Sequence, residues 1–141
     1  MQIRILSAAD VRASIDMPAA IEVMRTAFSA LAEGSATAPL RTAVETRHGV
    51  SLFMPAHLAG SESMGAKVVS VNPENAERGL PVIHAVVLVV DPVTGRTLAL
   101  MDGTWLTALR TGAVGGLAAD LLAREDAATV AVFGAGVQAR T

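Results

Sequence analysis

The residues whose types and spacing could do chemistry stand in a short run, Gly134-Ala-Gly136-Val137-Gln138-Ala139, directly after the apolar segment Thr129 to Phe133. A strand followed by G-x-G-x-x-A is the form that cradles a dinucleotide. The first glycine makes a tight turn, the second lets a pyrophosphate approach the backbone, and the small third residue packs helix on strand. The phosphate then sits at a helix N-terminus. A plain structural turn has the same letters. What would separate the two, a helix and an acidic residue roughly 20 positions on, falls after Thr141.

The other polar residues read more simply. His48 sits in a turn and His57 in a loop, while His84 is expected to be satisfied inside a buried strand. Asp102 precedes a helix and fits a cap that satisfies free amides. Glu74, Glu77 and Arg78 form a solvated loop group. Cysteine is absent, which excludes disulfides, thiolate metal sites and a cysteine nucleophile. With no paired histidine spacing either, no metal site is expected.

These residues must be positioned by elements, and the pattern supplies them. Ser7 and Asp10 can cap a helix start. A second helix is expected with Asp16 as cap, Pro18 in its first turn, an apolar stripe of Ile21, Met24, Phe28 and Leu31, and Gly34 as terminator. Leu40 to Thr46 and Val50 to Met54 read as a hairpin around Arg47-His48-Gly49, and Ala66 to Val71 as a third strand. Asn72 to Pro81 is a loop. Val82 to Val90 and Thr97 to Met101 pair across the Asp91-Pro92-Val93-Thr94-Gly95 turn. Four or five strands in hairpins after a helix predict an α+β domain with a mainly antiparallel sheet.

From Thr104 to Arg124 the period is helical, with Leu106, Leu109, Ala113, Leu117 and Leu121 on one stripe. Gly112, Gly115 and Gly116 each weaken this helix by roughly 1 kcal/mol relative to Ala, a cost tolerated where something packs closely. Thr129 to Phe133 reads as a short buried strand. The chain thus divides into a domain over 1–125 and, over 126–141, the start of a Rossmann domain. One strand and a turn cannot complete such a domain, so the expectation is a fragment, or a partner chain that finishes the fold.

Composition bounds the class. A length of 141 residues suffices for one real core. The hydrophobic fraction is 52% and the mean hydropathy +0.48, which suits either a membrane protein or a chain with a large buried interface. The longest apolar run, Ala85 to Val90, is far below the roughly 20 residues of a spanning helix, and from the opening residues no secretory signal is expected. A cytoplasmic protein with an extensive interface is the expectation. A net charge of −2 with scattered cations gives no footprint for nucleic acid.

Seven blocks then carry a family resemblance: Pro39-Leu-Arg41-Thr42, Phe53-Met54-Pro55, Gly65-Ala-Lys67 through Asn75, Arg78-Gly-Leu-Pro81, Leu100-Met-Asp102-Gly103, Leu106 through Ala113, and Gly134 through Ala139. Their order and spacing resemble the ornithine cyclodeaminase/mu-crystallin family. The resemblance implies an NAD- or NADP-dependent enzyme of amino or imino acids, built as a homodimer joined through its N-terminal domains. Alanine dehydrogenases and reductases of cyclic ketimines or pyrroline carboxylate are the leading types. Ornithine cyclodeaminase itself and a non-catalytic mu-crystallin-like ligand-binding dimer are the alternatives.

By the same resemblance, Arg41, Lys67 and Arg110 match the residues that hold the substrate carboxylate. That choice suits guanidinium chemistry, which grips a carboxylate in a bidentate way. Lys67 could also relay a proton if burial lowers its pKa. Arg110, Thr111, Gly134, Gly136, Val137, Gln138 and Ala139 match the cofactor positions. Two positions depart from the cyclodeaminase pattern: Leu52 stands where a glutamate is usual, and Val82 where a cofactor-contacting threonine is usual. Leucine there argues against ornithine. The family's acid/base aspartate has no counterpart in these residues.

Overall fold

The computed structural model describes residues 2–141. Local chemistry sets the first two helices. Helix α1 (Ala8–Ser14) opens on a capping box: the Ser7 amide donates to the Asp10 carboxylate at 2.8 Å, and the Asp10 amide donates back to Ser7 Oγ at 3.3 Å. Helix α2 (Met17–Ala32) is capped by Asp16, whose carboxylate accepts from the Ala19 amide at 2.9 Å. Pro18 lies in its first turn, where no amide is needed. Gly34 ends the helix at φ +76°, a conformation that a β-carbon disfavours.

The strands are β1 (Arg4–Leu6), β2 (Ala36–Thr37), β3 (Thr42–Thr46), β4 (Gly49–Leu58), β5 (Ser63–Val71), β6 (Ile83–Val90) and β7 (Thr97–Asp102). They form one sheet in the order β1-β7-β6-β5-β4-β2, with β3 also on β4. Only β1 runs parallel to its neighbour, β7. The α+β class with a mainly antiparallel sheet is as expected from the sequence. Strand β4 is longer than expected and runs through Pro55. That residue falls between the stretch paired with β3, which stops at Phe53, and the stretch paired with β2, which starts at His57. A proline that breaks no ladder is tolerated there. His57 therefore lies on a strand rather than in a loop.

Pairing partners share a face, so the register sorts the sheet. Leu52/Val69/Ala85, Met54/Lys67/Val87/Met101 and Ala56/Gly65/Val89/Ala99 point to one side. The helices cover this side, and Val69 and Ala99 are buried there. Helix α3 (Thr104–Leu122) starts where β7 ends. The Ala85 amide donates to Thr104 Oγ1 at 3.0 Å, and the Trp105 amide donates to the Asp102 carboxylate at 3.0 Å. Asp102 is thus the cap that its position suggests. Helices α2 and α3 meet over Ala20, Leu109 and Ala113, the centre of the core.

Two further expectations fail. Thr129 to Phe133 does not form a buried strand: the segment has no regular structure, and Val130, Val132 and Phe133 are 78%, 66% and 98% exposed. A strand needs a neighbour to take its amides and carbonyls, and among the described residues none lies beside this segment. His84 is exposed rather than buried. It pairs with Ser70 on the side of the sheet that no helix covers.

Candidate functional site

The midpoint of the covered sheet face carries Lys67. Its cross-strand neighbours in the register are Met54 and Val87, and Leu52 is one step along β4 on the same face. All of these neighbours are apolar. Burial pushes the Lys67 ammonium pKa down, and the guanidinium of Arg110 lowers it further. Two cations from β5 and α3 therefore sense each other. Among the described residues neither is paired with a carboxylate, since the ion pairs present are Arg25 with Glu22 and Asp120, His48 and Arg78 with Glu74, and Arg124 with Asp126. An anion placed between two such cations would lower the cost of each charge.

Lys67 also lines a cleft of ≈ 640 Å³ between α2 and the sheet. Met24, Phe28 and Leu31 of α2 form its outer wall, with Met54 and Val87 on its floor. Three of the four residues of the α2 stripe read from the sequence thus face this cleft, and Phe28 and Leu31 are exposed. Met54 stands in a motif block and Val87 in none, and neither signals its place beside the cation. Only the register of β4 and β6 on β5 puts them there.

The other site positions lie elsewhere. Arg41 is exposed and precedes β3, one residue short of the strand expected to hold it; it does not line the Lys67 cleft. Arg110 is exposed on α3. Beside it, the Thr111 hydroxyl donates to the Thr107 carbonyl at 2.8 Å. Gly134, Gly136, Val137, Gln138 and Ala139 are all exposed.

Gly134 adopts φ +93°, the left-handed turn geometry that glycine permits. A β-carbon at Gly134 or Gly136 would meet nothing within 4 Å, so the backbone there is open to approach. Ala135, Gly136 and Val137 border a second hollow of ≈ 450 Å³ against α1 and α3, together with Arg12, Trp105 and Arg140. The Arg12 guanidinium lies over the Trp105 ring, 5.8 Å from its centroid. Open glycine backbone beside two arginines fits the pyrophosphate portion of a dinucleotide. Arg110 and Thr111 do not line this hollow. Sequence reasoning missed Arg12, for which only the fold supplies a signal.

A helix-covered, mainly antiparallel sheet leading to a glycine turn defines an α+β domain. The chain belongs to the ornithine cyclodeaminase/mu-crystallin family, whose profile matches residues 1–141. It is 40% identical over 139 residues to an alanine dehydrogenase of Archaeoglobus fulgidus, covering 99% of this chain and 42% of that protein. The Thermococcus litoralis Delta(1)-pyrroline-2-carboxylate reductase, solved with NADH and L-proline, superposes with a TM-score of 0.92 at 46% identity. That match covers 98% of this chain and 43% of the other. An archaeal alanine dehydrogenase dimer with bound NAD gives a TM-score of 0.95 at 38% identity, covering 99% and 43%. The chain thus spans about two-fifths of the length of these relatives. No helix is long and apolar enough to cross a membrane among the described residues.

Proposed function

We propose that the full-length protein is an NAD- or NADP-dependent oxidoreductase of amino or imino acids, a cytoplasmic alanine dehydrogenase or cyclic-imine reductase. Residues 1–125 bind substrate and dimerise, and residues 126–141 open the Rossmann domain. The observation that carries this reading is Lys67, half-buried among apolar neighbours on the sheet face and within the electrostatic reach of Arg110 on α3, neither with an acidic partner among the described residues.

In this reading the substrate carboxylate sits between Lys67 Nζ and the Arg110 guanidinium, with Arg41 closing on it from the loop before β3. The carboxylate restores charge balance and fixes the α-carbon in place. Lys67 Nζ, its pKa already lowered, holds a proton that it can lend to the substrate nitrogen. Leu52, Met54 and Val87 exclude water around the reacting carbon and offer no partner for a second amino group. When bound, the nicotinamide cofactor accepts or supplies the hydride. Gly134, Gly136, Val137, Gln138 and Ala139 would hold its pyrophosphate, and Arg110 with Thr111 its nicotinamide side. The relatives solved with NADH and NAD support this cofactor class. The test is steady-state kinetics of the full-length enzyme over alanine, pyruvate with ammonia, cyclic imino acids and ornithine. Small or apolar substrates are expected to lead, and a clear preference for ornithine would overturn the assignment in favour of a cyclodeaminase.

A further inference from the structure

The cleft beside Lys67 is far larger than a small amino acid requires. Its volume of ≈ 640 Å³ falls within the range of about 300–1,000 Å³ typical of sites for drug-sized ligands. From Lys67 it runs along β5 to Ser63, a span of about 13 Å at roughly 3.3 Å per residue, or the reach of an extended chain of roughly ten carbons. Along that path the wall is made by Met24, Phe28, Leu31, Met54 and Val87, and Lys67 supplies the only charge. A cavity with one cation at one end and a long apolar trough asks for one anionic head and an apolar tail.

We propose that this cleft binds a medium-chain aliphatic monocarboxylate, its head on Lys67 and its tail between α2 and the sheet. The inference rests on the reading of Lys67 as a carboxylate anchor and extends it to a second ligand class that competes with substrate. Charge complementarity selects the head: a cationic or neutral head would leave Lys67, the one ionised side chain among Lys, Arg, Asp and Glu on this lining, without a counter-charge.

The experiment titrates the full-length protein with alkanoates from butanoate to tetradecanoate, below their micelle concentrations, by calorimetry and by competition with the small substrate. Each added methylene should tighten binding about two- to fourfold, levelling off near ten carbons. Decanol and decylamine should bind at least tenfold more weakly than decanoate. Leu31→Glu, at an exposed position, should weaken decanoate more than tenfold and leave butanoate unchanged. Ala27→Phe, which fills the trough from α2, should flatten the chain-length dependence.

Affinity independent of chain length, or decanol binding as well as decanoate, overturns the inference. Two outcomes are separable. If Lys67→Met raises the KM of small substrates but alkanoates show no length dependence, the trough inference fails and the proposed function stands. If Lys67→Met leaves small-substrate KM untouched, the anchor itself is wrong.

Discussion

Lys67 is held at a cost that a bound anion removes. Its pKa is lowered by burial and by Arg110, so in the window between its folded value and the ordinary lysine value the unfolded chain binds the extra proton. Stability therefore rises with pH across that window and is lost as pH falls through the folded value. Lys67→Met should consequently melt no lower than the wild type near neutral pH, while its affinity for carboxylate substrates collapses. Differential scanning calorimetry set beside KM reads both, and a destabilised variant would show that the charge is not strained. For the same reason, substrate affinity should decline as pH rises through the lowered Lys67 pKa, earlier than an ordinary lysine would cause. Arg110→Ala removes a charge-assisted bond worth about 1.5–3 kcal/mol, so KM should rise roughly tenfold or more; unchanged kinetics would remove Arg110 from the site. At this scale the motif blocks singled out Arg41, Lys67 and Arg110 as candidates. The apolar neighbours Met54 and Val87 stayed hidden, because being beside Lys67 is a property of strand register and not of spacing along the chain.

At the scale of elements, short-range chemistry read well and long-range pairing did not. Ser7, Asp10, Asp16, Pro18 and Gly34 each act within four residues of themselves, and all mark helix ends as expected. Strand β1 has three residues and no alternation of its own; it exists because β7, more than 90 positions later, offers an edge. Thr129 to Phe133 errs the other way, with strand composition but no neighbour. Helix α3 shows how the structure separates residues that look alike in sequence. A β-carbon at Gly116 would lie 3.0 Å from Ile21 Cδ1, whereas at Gly115 it would meet nothing within 4 Å. Gly115→Ala should therefore stabilise the protein by about 1 kcal/mol through helix propensity, while Gly116→Ala should gain less or lose, since α2 must give way. Chemical denaturation of the two variants checks this, and equal gains would show that α2 does not press on Gly116.

For the whole molecule, the high mean hydropathy finds an account in the sheet face opposite the helices. Ile5, Phe53 and Leu98 stand exposed on it, with Ile5 at 70%, beside Val68, Val86 and Leu88 in the register. A contiguous apolar face of this kind marks an interface, and a homodimer joined through it is the occupant proposed. Leu98→Glu together with Ile5→Glu should yield a monomer in analytical ultracentrifugation, whereas an intact dimer would place the interface elsewhere. Strand β1 has a further role at the rim of that sheet. Its three residues occupy the outer edge of β7, whose backbone amides and carbonyls would otherwise be open to any passing strand. Arg4–Leu6 thus act as a guard against edge-to-edge polymerisation. Deleting them should leave the fold of the remaining sheet largely intact while giving a protein whose light scattering grows with concentration and time.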